Sequence, residues 1–520
     1  MRMNTTHEGV KDLLSRYQAK ITDFFTYHFI TKRLNTPFGY ACLLLAGTLV
    51  ALAGAKFGIV ATLFLLGVIV AIPILLACLL HPSSALFFSI IFSFFIIYFY
   101  RYLMVYYRHL AEIPLGSVVD IMLILGLFAV FLDQSYRGGK GLSFIKNPIT
   151  YVYCIYMLFL FIEFFNPNMN VAIGYISFVR RMVTLLACYI IVLYVFKDKA
   201  FLKGFIKVWL GLALLAALYG CSQQWFGYLP MEADWIAQQV ALEGKNPYFH
   251  DGVLRHFSFF SDPTVFGMFM ATSGLFCLIL LTGPFKISTK LQIAGISVFL
   301  FLGLAYSGTR TAYVMIPAGV VLFGLMTITK RSTLIFATLA AIVFGFVLYG
   351  PIENQPINRI RTAFKGSEDA SLNLRNIKRK MVQPLLFEYP LGGGVETSGI
   401  IGSKYDPDHF LAQHVIDSGY MKIAIETGII GLLITMACYL TVMYVGISKY
   451  YKSRNIEYRI YISGMVVVVY SLIIYTYVQK SINQFPAGLI LYGIFAILAK
   501  IDSVEQNEAE KHNVPLPLSK

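Results

Sequence analysis

Charged residues are scarce in this chain of 520 residues, at 13% of the total. That is about half the share of a typical soluble domain. Acidic residues are the scarcer kind, since 27 Asp and Glu stand against 42 Lys and Arg, for a net charge of +15. Apolar residues make up 58% of the chain, and the mean hydropathy is +0.69. This composition excludes a water-soluble globular protein.

Low-complexity tracts and period-three repeats are also missing, although the chain holds 43 Phe and 34 Tyr. These aromatic residues lie in long apolar runs, which excludes a disordered or collagen-like chain. All 7 cysteines fall inside apolar runs too, so neither a disulfide framework nor a thiolate metal site is expected. The class that remains is a polytopic membrane protein, in which each span needs about 20 apolar residues.

Sustained apolar windows predict about fourteen transmembrane helices and an all-α fold. The windows lie near 38–55, 58–79, 84–100, 116–132, 148–165, 178–196, 208–226, 263–282, 291–306, 312–328, 333–350, 418–447, 460–477 and 485–499. An even number of spans places both termini on the same side of the membrane.

The windows also divide the chain into segments with different roles. These are a polar, amphipathic N-terminal segment (1–36), N-terminal spans (37–226), a first long loop (227–262), central spans (263–350), a second long loop (351–417), C-terminal spans (418–499) and a tail (500–520).

The charges of the short loops predict the orientation. Fifteen Lys and Arg lie in one set of short loops and five in the opposite set, with the tails and the two long loops left out. Because cytoplasmic loops carry the excess of positive charge, the richer set and both termini are predicted to be cytoplasmic. Both long loops then face the exterior. The basic balance is explained in this way, so no nucleic-acid partner is expected.

Several polar residues on the predicted exterior side have no role in topology. Arg255 and His256 closely precede Asp262-Pro263, where a span would begin. This motif is either part of a functional site or a helix cap with an interfacial arginine. Arg310 lies in a short turn between two apolar spans. It either extends to the lipid headgroups or faces an anion in the bundle, and the anion is the favoured interpretation.

Two further arginines, Arg180 and Arg181, lie at the exterior end of the sixth predicted span. One of them is expected to pair with Glu163, which leaves the other to meet a phosphate.

The second long loop holds an amphipathic pattern from Ser371 to Glu388 that predicts one interfacial helix. Its basic face includes Arg375 and Arg379, and such a face either binds lipid phosphates or anchors the helix to the membrane. The glycines around Gly393 follow, and they either let backbone N–H groups approach an anion or end the helix.

Polar residues also gather before the next predicted span. His409 and His414 are five residues apart, a spacing that does not favour a metal site on one helical face. Asp417 lies in the first turn of that span, where it is either an N-terminal cap or a proton acceptor.

Four motifs together resemble the O-antigen ligase and O-antigen polymerase superfamily of bacterial membrane glycosyltransferases. They are Arg255 to Gly267, Ser307-Gly-Thr-Arg310-Thr-Ala-Tyr-Val314, Pro390-Leu-Gly392-Gly393-Gly394, and Asp417-Ser418-x9-Gly428-x-x-Gly431. The ligase pattern has His where this chain has Asp417, and Leu where it has Val314. Polymerases of the superfamily look more permissive at the position of Asp417, so a polymerase is the favoured interpretation.

The resemblance implies a GT-C-type fold in the bacterial inner membrane, with the active face toward the periplasm. It implies a metal-independent, inverting transfer of oligosaccharide from an undecaprenyl-diphosphate carrier to an acceptor hydroxyl of a glycan or lipid, with no cofactor. Arg310 and Arg255 would stabilise the diphosphate, and Asp417 would accept the proton. Residues in secondary contact with the diphosphate or glycan would be Arg180, Arg181, Arg375, Arg379, His256, His414 and Gly393.

Other functions stay open at this stage. The enzyme could be a ligase acting on lipid A core, or a protein O-oligosaccharyltransferase. A lipid-linked glycan flippase, a transporter or a scaffolding protein would share the many spans. Gathering of the polar candidates at one face favours an enzyme, because transporters place such residues near the membrane midplane. Membrane lipids and a chain-length regulator are the further partners considered.

Overall fold

The computed structural model describes residues 36–108, 114–136, 144–250, 252–329, 331–351, 354–364, 370–479 and 482–511. The predicted N-terminal segment 1–36 lies almost wholly outside these residues. All fourteen apolar windows fall in helices, apart from one or two residues at their ends. Nine helices within the described ranges are long and apolar enough to cross a membrane, and shorter apolar helices accompany them. The prediction of an all-α, multi-pass membrane protein is therefore confirmed.

The described elements are numbered here in chain order. The helices are α1 (Pro37–Leu80), α2 (Pro82–Tyr106), α3 (Gly116–Tyr136), α4 (Pro148–Glu163), α5 (Ile173–Val195), α6 (Lys199–Phe226), α7 (Pro230–Glu243), α8 (Pro263–Leu281), α9 (Ile287–Ser307), α10 (Arg310–Met326), α11 (Arg331–Tyr349), α12 (Gln355–Ala363), α13 (Ala370–Val382), α14 (Leu385–Glu388), α15 (Gly399–Tyr405), α16 (Gly419–Lys452), α17 (Ile456–Thr476) and α18 (Ala487–Lys511). The strands β1 (Phe249–His250) and β2 (Val253–Leu254) form a small antiparallel hairpin.

The prediction of two separate spans at the start of the chain is wrong. The windows 38–55 and 58–79 belong to one helix, α1, of 44 residues. At 1.5 Å per residue it is roughly 66 Å long, about twice the hydrocarbon thickness, so it does not turn back between the windows. The physical reason is that Gly54 and Lys56 supply no turn signal, since an isolated glycine weakens a helix without ending it. The count of about fourteen spans, and the shared side of the termini that depended on it, are not confirmed.

The chain divides into two compact units, of which the first comprises Met1–Ser89 and Asp120–Phe144. Its described parts are α1, the beginning of α2 and α3 from Asp120 onward. Large apolar side chains of α1, among them Leu44 and Val70, are exposed. Such surfaces suit contact with lipid.

The second unit comprises Ile90–Val119 and Ile145–Lys520, and its core lies around α8 and α17. Both helices are buried along almost their whole length. Helix α9 packs against α6 and α8, α10 packs against α8 and α17, and α16 packs against α4, α17 and α18. The ends of α8, α9 and α17 that meet in this arrangement position the candidate site.

The start of α8 follows directly from its sequence. The Asp262 carboxylate accepts hydrogen bonds from the backbone N–H groups of Thr264, at 2.8 Å, and Val265, at 3.1 Å. Pro263 occupies the first helical position, where its missing N–H costs nothing. The predicted helix cap is therefore present at Asp262, and it fixes the height at which the preceding loop meets the helix.

The two long loops contain elements of their own. The first holds α7 and the β1–β2 hairpin, and the second holds α12 to α15. The single helix predicted from Ser371 to Glu388 is wrong, because α13 ends at Val382 and a separate turn of helix begins at Leu385. Pro384 explains the break, since proline lacks an N–H and disfavours helical backbone in the residue before it.

Helix α16 is interrupted at Gly428, whose backbone is left-handed (φ 68°). The segment 390–394, here called the glycine-rich turn, packs against this interruption. The N–H of Gly393 donates to the Ile425 carbonyl and that of Gly394 to the Glu426 carbonyl, both at 2.8 Å. A Cβ on Gly392 would lie 2.5 Å from the Glu426 backbone. The glycines are therefore needed for close contact between this loop and the broken helix.

Candidate functional site

Arg255 lies where α8 begins and α9 ends. Its Nε donates to the Ser307 carbonyl and its Nη2 to the Thr309 hydroxyl, both at 3.0 Å, with the Thr264 hydroxyl at 3.4 Å from the same nitrogen. These are neutral acceptors, which orient the guanidinium without cancelling its charge. The motif before α8 and the turn between α9 and α10, far apart in sequence, thus meet at one side chain.

A second arginine, Arg359 of α12, lies beside the first. Gly308 separates them: a Cβ on this glycine would be 3.3 Å from both the Cγ of Arg255 and the Nε of Arg359. Burial and repulsion from Arg359 lower the pKa of Arg255 to about 10, so it stays protonated at neutral pH. Two cations this close, one buried and one half-buried, favour binding of an anion, which would relieve their repulsion.

Arg359 lines a cavity of about 270 Å³, here called the arginine cavity. His256, Gln224 and Tyr306 also line it. The side chain of His256 is buried, and its Nε2 lies 2.8 Å from the Gln224 oxygen. Its Nδ1 has no hydrogen-bond partner within the described residues. Burial lowers the pKa of His256 to about 4, so the ring is neutral at pH 7, and the contact of Nε2 with the Gln224 oxygen makes Nδ1 the acceptor nitrogen.

The loop that carries these residues is held by Arg101 of α2. This buried guanidinium donates to the carbonyls of Ser258, Phe260 and Ser261, and it lies 4.0 Å from the ring centre of Phe257. Ser258 has left-handed backbone (φ 51°), which the bonds around it stabilise. Arg101 is therefore a structural support for the arginine cavity.

Arg310 is the first residue of α10 and is half-buried. It directly follows Thr309, whose hydroxyl binds Arg255. The structure thus brings the two predicted catalytic arginines to the same turn.

The predicted basic helix packs against the start of α16. Arg379 donates from its two terminal nitrogens to the hydroxyl and the carbonyl of Tyr477, each at 2.9 Å. Lys378 lies 3.4 Å from the Asp417 carboxylate, and the Ser418 hydroxyl donates to the same Tyr477 carbonyl at 2.7 Å. The side chain of Arg375 lies outside the part of α13 that can be described.

A network of four charged side chains lies deeper in the unit. Glu396 is 2.6 Å from the Lys422 ammonium and 3.4 Å from Arg181, and Lys422 is 3.6 Å from Glu426. The carboxylate partner of Arg181 is thus Glu396 and not Glu163, which accepts a hydrogen bond from Asn166. The sequence prediction failed because Glu396 is distant in sequence and reaches Arg181 only through the glycine-rich turn.

This network lines a second cavity, of about 340 Å³, here called the tyrosine cavity. Tyrosines from α4, α16 and α18 line its other end, and amides of the segment before α18 lie along it. These lining residues are Tyr153, Tyr156, Tyr439, Tyr492, Asn483 and Gln484. The cavity therefore has a charged region and an aromatic region.

The end of α17 contacts both the surroundings of Arg255 and the tyrosine cavity. The Tyr475 hydroxyl donates to the Thr264 carbonyl at 3.1 Å, beside Arg255. Thr476 lines the tyrosine cavity, and Tyr477 binds Arg379 and the residue after Asp417. Consecutive residues thus connect the arginines, the tyrosine cavity and the predicted proton acceptor.

The remaining predicted site residues have other contacts. Arg180 donates to the Ser117 hydroxyl at 2.9 Å, and the backbone N–H of Gly393 donates to the Ile425 carbonyl. His414 is half-buried in the segment that leads to Asp417. These positions lie outside the arginine cavity.

Sequence reasoning missed Arg359, Glu396 and the structural Arg101. Arg359 and Arg361 share a short amphipathic stretch of a predicted exterior loop, a signal that could have been followed. Glu396 has left-handed backbone (φ 60°), rare for a residue with a side chain and invisible in a single sequence.

The fold and the site define a multi-pass, all-α membrane protein with paired arginines at one end of its helical core. Residues 295–436 match the family described as O-antigen ligase (Wzy_C). This match supports the O-antigen ligase and polymerase superfamily, and with it a glycosyltransferase-type membrane enzyme. The matched segment includes Arg310, Arg359 and Asp417, whereas Arg255 precedes it. Comparison with curated proteins found no match.

Proposed function

We propose that this protein is a surface-polysaccharide polymerase that transfers oligosaccharide from an undecaprenyl-diphosphate carrier to a glycan hydroxyl, with inversion and without a metal ion. The observation that carries the proposal is the pair Arg255 and Arg359, which lie side by side around Gly308. A diphosphate leaving group gains negative charge as the glycosidic bond breaks. Fixed guanidinium groups in a dry pocket stabilise such charge strongly.

The roles of the other residues follow from their positions. Arg310 adds a third positive charge at the same turn, and the neutral His256 offers Nδ1 to a proton of the donor. Asp417 accepts the proton of the attacking hydroxyl, because it lies just before α16, whose first residue, Gly419, lines the tyrosine cavity. Lys378 keeps its carboxylate oriented from 3.4 Å away.

The proposal includes a location. The enzyme lies in the bacterial inner membrane with both long loops and the site toward the periplasm, and its C-terminal tail is cytoplasmic. Support comes from the positive charge of the short loops after α3, which does not depend on how α1 crosses the membrane.

The arginine substitutions Arg255→Ala and Arg359→Ala test the diphosphate site. Each should lower the rate of glycan transfer roughly 100-fold, as loss of one charged transition-state donor does. The matched control is Arg454→Ala, an exposed arginine at the opposite end of α17, which should keep the wild-type rate. Transfer is measured with purified protein and lipid-linked saccharide. Full activity of both site variants would refute the proposal.

The lipid-linked saccharides of cells without the protein decide between the activities. A polymerase leaves single repeats on the carrier, whereas a ligase leaves long lipid-linked chains. In the polymerase case, Asp417→Ala should also accumulate single repeats, while the exposed Asp408→Ala should not.

A further inference from the structure

We propose that the tyrosine cavity is the binding site for the saccharide that accepts the transferred glycan, and that it recognises uncharged, hydroxyl-rich sugar residues. The inference rests on the proposed function and adds a second site to it. The cavity of about 340 Å³ is within the range of small-ligand sites.

The charges of the cavity decide the class of ligand. Arg181 and Lys422 contribute two positive charges, and Glu396 and Glu426 contribute two negative ones, so the network is balanced. A phosphate would gain little there, in contrast to the arginine cavity, where Arg359 lies beside Arg255 and no carboxylate is among the described residues of the wall. A sugar hydroxyl both donates and accepts, so it can bind a wall that presents carboxylates, ammonium and amides together.

The location of the network argues for a ligand. Lys422 and Glu426 lie in α16, a candidate membrane span, and ionisable groups in such helices are expensive and commonly functional. Glu396 is held in left-handed backbone, and α5 can approach it only because residue 174 is glycine, whose added Cβ would be 3.0 Å from the Glu396 Cβ. Strained residues of this kind cluster at functional sites.

The remaining walls suit a sugar. Tyr153, Tyr156, Tyr439 and Tyr492 supply ring faces and hydroxyls, and Asn483 and Gln484 supply amides. Aromatic rings cover the apolar C–H faces of a ligand. Some of the hydroxyls already bond within the wall, as Tyr153 does with Tyr492 and Tyr156 with Thr435. These hydroxyls still have an oxygen lone pair that can accept from a sugar.

The geometry also connects the two partners of the reaction. Gly419, two residues after Asp417, lines the tyrosine cavity, and so does Thr476, the neighbour of Tyr475 beside the arginines. A saccharide in the cavity therefore lies next to the proposed proton acceptor. The adjacent residues Tyr475 and Thr476 connect it to the arginines of the proposed diphosphate site.

The test uses phosphate-free oligosaccharide, released by mild acid from the cell's own lipid-linked saccharides, titrated into full-length protein in lipid nanodiscs. The variant Gln484→Met removes one amide from the cavity and should weaken saccharide binding about 3- to 10-fold. Gln383→Met changes an exposed glutamine between α13 and α14 and should bind as wild type does. A double variant, Lys422→Met with Glu426→Gln, keeps the charge balance and should weaken binding further.

Inorganic diphosphate, titrated into the same samples, separates this inference from the proposed function. Arg359→Ala should lose diphosphate binding and keep saccharide binding. Absence of saccharide binding to wild type would overturn the inference, and so would equal affinity of Gln484→Met and Gln383→Met for the saccharide. Either result would leave the charged network with another role, such as proton conduction. If Gln484→Met weakens saccharide binding while Arg359→Ala keeps full transfer activity, the cavity stands and the diphosphate proposal fails.

Discussion

At the scale of single residues, neutral acceptors hold two arginines near the first cavity. Arg255 is oriented by a carbonyl and hydroxyls, and Arg101 by three carbonyls. Neutral partners fix a guanidinium while its full charge remains, whereas a carboxylate partner would reduce the field at the site. Arg181, which does have a carboxylate partner, lies at the charge-balanced cavity instead.

His256 makes the stability of the protein depend on pH. Burial lowers its pKa to about 4 in the folded state, whereas an unfolded histidine titrates near 6.5. Its contribution is therefore fully present above about pH 6.5 and is lost as pH falls toward 4, with about 2 kcal/mol lost at pH 5. We expect the thermal unfolding midpoint in detergent to fall between pH 7 and 5.

The matched variant for this prediction is His256→Gln, which keeps an amide N–H for Gln224 but does not titrate. Its unfolding midpoint should depend less on pH than that of the wild type. An identical pH dependence in both proteins would show that other groups cause the effect.

The same scale shows what a single sequence can reveal of the site. Arg255, Arg310 and Asp417 are recognisable because each lies at the start of a span in a characteristic motif. Arg359 and Glu396 are not, because their neighbours in space come from distant loops. The predicted pairing of one of Arg180 and Arg181 with Glu163 is wrong for the same reason, since Arg181 pairs with Glu396.

At the scale of elements, apolar windows located the helices well, because a span must satisfy its backbone internally and therefore runs without interruption. The errors concern interruptions. The windows 38–55 and 58–79 predict two spans where α1 continues, and the pattern from Ser371 to Glu388 predicts one helix where Pro384 breaks it. Helix α16 shows the opposite case, since its break at Gly428 depends on a loop that supplies the missing hydrogen bonds.

The glycine at this break should be essential for stability. Gly428→Ala places a Cβ in left-handed backbone and in collision with the Pro390 carbonyl oxygen. We expect a loss of roughly 2–4 kcal/mol in the free energy of unfolding, measured by denaturation in mixed micelles. The control is Gly295→Ala in α9, where a Cβ meets nothing within 4 Å and should be neutral or slightly stabilising. Equal effects of the two substitutions would contradict this account of the break.

At the scale of the whole molecule, the proposed orientation places the site on the periplasmic side of the membrane. Cysteines introduced at Lys404, after the glycine-rich turn, and at Lys452, at the other end of α16, test it because both lysines are exposed. An impermeant maleimide should label the first in intact spheroplasts and the second only after permeabilisation. Labelling with the opposite sidedness would place the site in the cytoplasm, where no lipid-linked glycan is polymerised under this proposal.

Independence from metal ions is a second prediction for the whole protein. Because arginines supply the positive charge at the diphosphate, EDTA should leave the rate of transfer by purified protein unchanged. Complete loss of activity that a divalent ion restores would require a different mechanism.

The contact between the glycine-rich turn and the broken α16 has a consequence for engineering. Residues 392–394 and 425–428 are complementary halves of one joint, so neither can be transplanted from another protein alone. A chimaera that imports a foreign loop to change the product should therefore import the matching helix segment with it.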